Sequence, residues 1–218
     1  MSSVAATPND LPHAVARACR LSRYVRDLLS AEPALGSTVP LGAPLDRAWM
    51  RERIRGATDE DAALKTALRR LRKTVMLGLI TRDLDGRADL AEVVATVTAL
   101  AEETVGTAAA AHAQWLAQEF GQPVGASSGT PQQLQVIAMG KLGGGELNVS
   151  SDIDVVFAYP EDGETDGARR ISNHEFFVRL ARKVISAIAE VTADGFVFRV
   201  DTRLRPYGDS GPLAVSYD

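Results

Sequence analysis

The chain has 218 residues, enough for one large or two small domains, and its 45% hydrophobic and 24% charged content is ordinary for a globular protein. A formal net charge of −4 argues against a general phosphate-backbone binder, although a local nucleotide site needs only a few cations. The single cysteine, Cys19, rules out an intramolecular disulfide and a cysteine-rich zinc site, and three scattered histidines argue against a histidine metal cluster.

The N-terminus lacks the basic and apolar regions of a secretory signal, and no stretch approaches the roughly 18 uninterrupted apolar residues of a membrane span. A cytoplasmic location is therefore expected. Residues 11–31 place Ala14, Ala18, Leu21, Val25 and Leu28 at alternating spacings of four and three, one helix face, and Glu32-Pro33 ends it. A loop rich in proline and glycine follows (EPALGSTVPLGAP), and a second helical stretch begins near Leu45. Thr58 with Asp61 has capping-box spacing and leads into AALKTALRRLRKTVMLGLITRD. Within that helix Lys65, Arg69 and Lys73 recur every four residues, with Arg70 and Arg72 beside them, and read as a solvated face. The Ala-rich segment 89–120 is helical by propensity and period, with Trp115 and Phe120 as packing residues. Cys19, in the first helix, reads as a small apolar residue.

From residue 121 the character changes. GQPVGASSGTPQ is a linker or exposed loop by composition. LQVIAMG and IDVVFAYP are short β-rich runs bounded by turn residues. Ser172 and Glu175 form a second capping box before an amphipathic helix, which makes His174 a cap-turn residue. GFVFRVDTRLRP is expected as a third strand and GPLAVSY as a fourth. The order describes a small α/β domain (131–218) behind a helical region (1–130). The run stops at Asp218 directly after a strand-like segment, which reads as a stop inside a larger protein.

The chemistry concentrates in GKLGGGELNVSSDIDVVF. A P-loop is excluded, because Lys141 precedes the triple glycine instead of following a glycine loop. The dinucleotide fingerprint fails as well: Gly143 and Gly145 fit its start, but Asn148 stands at its last position. What remains is a glycine loop followed by Ser-Asp-x-Asp at the start of a strand. Residues two apart in a strand share a face, so Asp152 and Asp154 aim both carboxylates at one point while Ile153 and Val155 turn to the core. Two like charges held that close repel, and a divalent cation such as Mg²⁺, which takes carboxylate oxygens together with substrate phosphates, removes the conflict. A third carboxylate completes a two-metal site, and Asp201 in FRVDTRLRP is the candidate, since an acid in an apolar strand is costly unless paired or metal-bound. Arg203 and Arg205 have strand spacing with Asp201 and are candidate phosphate clamps, with Arg199 in the same stretch. Gly143, Gly144 and Gly145 let backbone N–H groups approach a phosphate, to which Lys141 adds a charge.

A glycine-led turn, about a dozen residues to Asp-hydrophobic-Asp, and a later strand Asp resemble the DNA polymerase β-type nucleotidyltransferase superfamily. More narrowly, GKLGGGELNVSSDIDVVF and GFVFRVDTRLRPYGDSGPL are similar to the bifunctional glutamine synthetase adenylyltransferase/adenylyl-removing enzymes of bacteria, over residues 135–217. The pattern resembles the N-terminal of that family's two nucleotidyltransferase domains, associated with phosphorolytic removal of AMP from glutamine synthetase to give ADP. The resemblance implies an α+β fold, a helical N-terminal region followed by a polymerase β-like mixed sheet with helices, truncated at its C-terminal side. It implies Asp152, Asp154 and Asp201 as catalytic acids and metal ligands for Mg²⁺, with two ions expected. It matches Gly140, Lys141, Gly143 and Gly144 to the phosphate-side loop, with Ser150 and Ser151 leading into the acids. ATP or ADP and inorganic phosphate are the implied substrates. Adenylylated glutamine synthetase is the implied partner, with the PII signal protein and glutamine as regulators, and neither nucleic acid nor membrane. One departure is that many superfamily members begin the loop with Gly-Ser, where this chain has Gly140-Lys141. Two other readings stay open: adenylylation from ATP or another nucleotidyl transfer, and an inactive nucleotide-binding fragment.

Overall fold

The computed structural model describes residues 11–57 and 59–217. It opens with α1 (Leu11–Leu21) and α2 (Arg23–Ala31). The single helix expected over residues 11–31 is broken at Ser22, whose hydroxyl accepts from the Val25 N–H and starts α2 as an N-cap. One turn, α3 (Leu35–Thr38), and α4 (Arg47–Ile54), capped by Asp46 through the Trp49 N–H, follow. The long helices are α5 (Asp61–Leu84) and α6 (Leu90–Phe120). The expected Thr58 capping box lies outside the described residues. Asp89 caps α6 by accepting from the Glu92 N–H at 2.8 Å. No helix among the described residues is long and apolar enough to cross a membrane.

The sheet region runs β1 (Pro123–Gly125), β2 (Gln135–Met139), a short α7 (Gly140–Gly143), β3 (Ile153–Tyr159), β4 (Gly163–Thr165), α8 (Asn173–Ala189), β5 (Val200–Asp201) and β6 (Ala214–Ser216). β3 is its centre. Antiparallel β2 pairs along one edge, while parallel β5 and β6 share the other, at the start and the end of β3 respectively. The expected linker contains β1, which pairs with β4 in a separate two-stranded ribbon. Ser172 caps α8 by accepting from the Glu175 N–H at 3.1 Å, and His174 sits exposed in that first turn.

Two expectations are corrected. GFVFRVDTRLRP is not a full strand: only Val200 and Asp201 pair. The Val197 and Phe198 N–H groups both donate to the Ile188 carbonyl, at 2.9 and 3.3 Å, so the end of α8 takes donors that a ladder would need. Nor is the α5 basic stripe a solvated face. Arg69 is 1% exposed. Its Nε donates to the Gly195 carbonyl at 2.7 Å, its Nη1 to those of Lys65 and Ala187 at 2.9 Å, and its Nη2 to that of Glu190. Lys65 pairs with Asp61 and Glu190, and Lys73 with Glu32 and Asp194. The stripe fastens α5 to the C-terminal end of α8, where unpaired helix carbonyls attract cations.

The core is continuous between the two regions. Leu64, Leu68, Leu71, Val75 and Leu79 of α5 pack with Val97 and Leu100 of α6, Phe176, Leu180 and Val184 of α8, and Ile153, Val155 and Phe157 of β3. Burying one such side chain contributes about 1.5–3 kcal/mol. The helical region therefore backs the sheet directly, and the acids on β3 and β5 sit on a rigid base.

Candidate active site

Asp154 and Asp201 are register partners on the parallel strands β3 and β5, so both carboxylates leave the same face of strands about 4.8 Å apart. Asp152 precedes Asp154 by two residues, just before the strand begins. The Ile153 N–H, between them, donates to the Arg199 carbonyl at 3.0 Å and extends the pairing. On the other edge Asp154 is opposite Met139, and the next residue is Gly140. Gly140 has φ +53°, and a Cβ there would fall 2.7 Å from Asp154 Oδ2. Both the left-handed backbone and the close approach demand glycine.

The triple glycine divides its duties. A Cβ at Gly143 would fall 2.5 Å from the Ala138 carbonyl oxygen, so α7 packs closely back on β2. Gly145 has φ +70°. Gly144 meets nothing nearer than 3.6 Å and carries no such constraint. The expectation that Gly143–Gly145 offer their N–H groups to a phosphate is corrected for two of them. The Gly144 N–H donates to the Gly140 carbonyl and the Gly145 N–H to that of Leu142, both at 3.1 Å, because α7 closes its own turn. Lys141 is exposed on that turn. Ser150 and Ser151 belong to a turn built on Asn148. The Ser150 N–H and hydroxyl donate to Asn148 Oδ1 at 3.1 and 3.2 Å, and the Ser151 N–H donates to the Asn148 carbonyl at 3.2 Å. They fix the loop that delivers Asp152 to the strand.

Two arginines stand on two of the acids. Arg199 Nε donates to Asp152 Oδ1 at 2.5 Å, and its Nη2 to the Ser150 carbonyl at 3.1 Å. The Arg203 backbone N–H and Nε donate to Asp201 Oδ1 at 2.8 and 3.0 Å, and its guanidinium also reaches Oδ2. That guanidinium holds the Asp201 carboxyl down to about 2. Asp154 has no ion pair among the described residues. Arg205 behaves differently from the expectation of a clamp in strand register with Asp201. The strand ends at Asp201, and Arg205 Nη1 donates to the Thr202 carbonyl and Oγ1, each at 2.9 Å, bracing the turn from inside. Arg199, which carries Asp152, was visible only as part of an arginine-rich run. Its spacing of two from Asp201 was the available signal.

Whether these acids suit a divalent cation is decided by chemistry and access. Among the described residues no three His, Cys, Asp or Glu side chains converge closely enough to hold a metal as they stand. Asp152 and Asp201 are each paired with an arginine instead. Both guanidiniums are largely solvent-exposed, 63% for Arg199 and 73% for Arg203, so exchange for another cation requires no unpacking. The donor set is all carboxylate oxygen and Asp154 is already without a cation, so the residues fit Mg²⁺.

A helical region backing a mixed sheet, with a glycine turn against its central strand, is the build of an α+β nucleotidyltransferase domain. The chain belongs to the glutamate-ammonia ligase adenylyltransferase family, whose model matches residues 13–218. It is 52% identical over 215 residues to the bifunctional glutamine synthetase adenylyltransferase/adenylyl-removing enzyme of Chromobacterium violaceum, a match covering 96% of this chain and 24% of that protein. It is 49% identical over 224 residues to the protein of that name from Nitrosomonas europaea, with the same coverage of each. The counterpart from Bordetella pertussis is 48% identical over 212 residues, covering 93% of this chain and 22% of its own length. The chain thus spans about a quarter of the length of these relatives.

Proposed function

We propose that this chain carries an adenylyl-transfer site for glutamine synthetase and works in the removing direction. An oxygen of inorganic phosphate attacks the adenylyl phosphorus as the bond from that phosphorus to the tyrosyl oxygen breaks. The tyrosyl oxygen takes up a proton, and the phosphate leaves as the terminal phosphate of ADP. The observation that carries this reading is the in-register pair Asp154 and Asp201, with Gly140 clearing the space against Asp154. The names of the relatives support the substrate, and the resemblance of the glycine–acid segment to the N-terminal domain of the family supports the direction.

Asp152, Asp154 and Asp201 would hold Mg²⁺, which would neutralise the phosphate oxygens. Once free of their carboxylates, Arg199 and Arg203 present planar donor forks to those oxygens. Lys141 adds a point charge from the glycine turn. Ser150 and Ser151 keep the loop before Asp152 in shape, and Arg205 keeps the turn after Asp201 in shape.

Adenylylated glutamine synthetase incubated with the chain, phosphate and Mg²⁺ should release ADP. Asp154→Asn should lower that rate by about a thousandfold, the equivalent of several kcal/mol of charge stabilisation. ATP-dependent labelling of unmodified synthetase, without ADP release, overturns the direction. Mg²⁺-dependent nucleotide binding with no turnover in either direction makes the chain a binding module.

A further inference from the structure

Beside the acids, on the side of the helical region, lies a cavity of about 610 Å³, within the size range of small-molecule pockets. The α1–α2 elbow, α5 and the loop before β3 enclose it, and Met76, Ile80 and Leu84 give it an apolar lining. Arg72 stands in its wall. Its Cζ lies 5.1 Å from the ring centroid of Phe196 and 5.8 Å from that of Tyr24, so two aromatic rings hold the guanidinium. No carboxylate pairs with Arg72 among the described residues. Its hydrogen bond is a long one, 3.4 Å from Nη1 to the Tyr24 hydroxyl, and its Nε is buried without a partner. The Nε is closed off from the cavity, so a ligand would meet the outer nitrogens of the guanidinium. Ser150, Ser151 and Arg199 also line it, and Arg199 is the residue that holds Asp152. The exposed Asp83 also lines the cavity, about three turns along α5 from Arg72.

An apolar lining, an arginine with no carboxylate partner and a wall shared with the arginine that holds Asp152 match a planar ring with hydrogen-bonding edges and a phosphate attached. We propose that this cavity receives the base of the adenine nucleotide whose phosphates lie at Asp152, Asp154 and Asp201. Arg72 donates to ring nitrogens of the base, which lies against the apolar wall, and the sugar passes the Ser150–Ser151 turn to reach Arg199. The inference rests on the nucleotidyl-transfer reading of the acids. It gives the N-terminal helices a direct part in substrate choice, which the sheet alone does not supply.

Calorimetric titration of the 218-residue chain with ADP and with pyrophosphate, both with Mg²⁺, tests this. Pyrophosphate probes the acid site without a base. Arg72→Met removes the donors, and Val149→Trp, on an exposed stretch lining the cavity, fills it. Each should weaken ADP binding by about tenfold or more and leave pyrophosphate binding within about twofold. The unfolding midpoint of each variant identifies any that fails to fold, and either one alone suffices. ADP binding unchanged in a folded variant, yet abolished by Asp154→Asn, overturns the base site and leaves the reading of the acids standing. Absence of both ADP and pyrophosphate binding in the wild-type chain overturns both.

Discussion

Two groups of cations in this chain do opposite work. On α5, Arg69 is turned inward onto the carbonyls of Lys65, Ala187, Glu190 and Gly195. Around the acids, Arg199 and Arg203 reach through solvent, each to one carboxylate. The acceptors of Arg69 are backbone atoms fixed by the fold, and no other cation can take its place without unfolding the end of α8. The carboxylates that Arg199 and Arg203 hold are side chains that a metal can claim, and the one backbone acceptor of Arg199, the Ser150 carbonyl, lies on an exposed turn. The nature and mobility of the acceptor decide whether a charge is structural or exchangeable.

The largest expected effect that tests this contrast is at Arg69. Arg69→Met leaves several buried carbonyls without donors and should destabilise the chain by about 3–5 kcal/mol. Urea unfolding measures it. A loss below about 1 kcal/mol, the range of an exposed ion pair, would erase the distinction between the two groups.

That contrast also marks what the sequence could and could not reveal. The period of apolar residues along α5, α6 and α8 shows their existence, because a helix face is a local pattern. Strand alternation likewise shows that Asp152 and Asp154 share a face, and the apolar run behind them marks β3. The burial of Arg69 was illegible, since three of its four acceptors come from residues 187–195, more than a hundred positions further on. Strand β5 was overestimated because Phe196, Phe198 and Val200 alternate like a strand face, whereas the Ile188 carbonyl captures the N–H groups of Val197 and Phe198. Within the GKLGGG segment the triple run drew attention, yet the glycine pressed against a candidate site acid is Gly140, a constraint imposed from across the sheet by Asp154. The break at Ser22 was legible in principle, because a serine three residues before Val25 is a capping signal inside an otherwise continuous helix period.

Gly140 gives the next effect in size. Gly140→Ala puts a side chain into a left-handed backbone and against Asp154 Oδ2. It should cost about 1–3 kcal/mol of stability and weaken Mn²⁺ binding, read by electron paramagnetic resonance, because the carboxylate is displaced. Gly144→Ala, which meets no comparable obstacle, is the control, and equal effects from the two would remove the special role of Gly140.

A smaller effect lies in the titration of Asp201. Its carboxyl is held down to about 2 by Arg203, against an ordinary value of about 3.9 in the unfolded chain. A depressed carboxyl contributes stability that is fully present above about pH 4 and is lost as the pH falls toward 2. Carbon-13 NMR of the Asp201 carboxyl should show the low midpoint in the wild type and a return toward about 3.9 in Arg203→Ala. A midpoint unmoved by that substitution would mean that the arginine is not what neutralises the acid.

The smallest effect on stability, and the most direct test of an exchangeable charge, is at Arg199. Its pair with Asp152 is exposed on both sides, so Arg199→Met should change stability by no more than about 1 kcal/mol. The same substitution frees a carboxylate that the metal needs, so the nucleotide-free chain should bind Mn²⁺ more tightly than the wild type. Nucleotide binding should move the other way, since the guanidinium released from Asp152 is then missing from the phosphates. Opposite shifts in metal and nucleotide affinity are the signature of one arginine serving two anions in turn. A large loss of stability, or both affinities falling together, would place Arg199 with Arg69 as a structural cation and close the gap between the two groups.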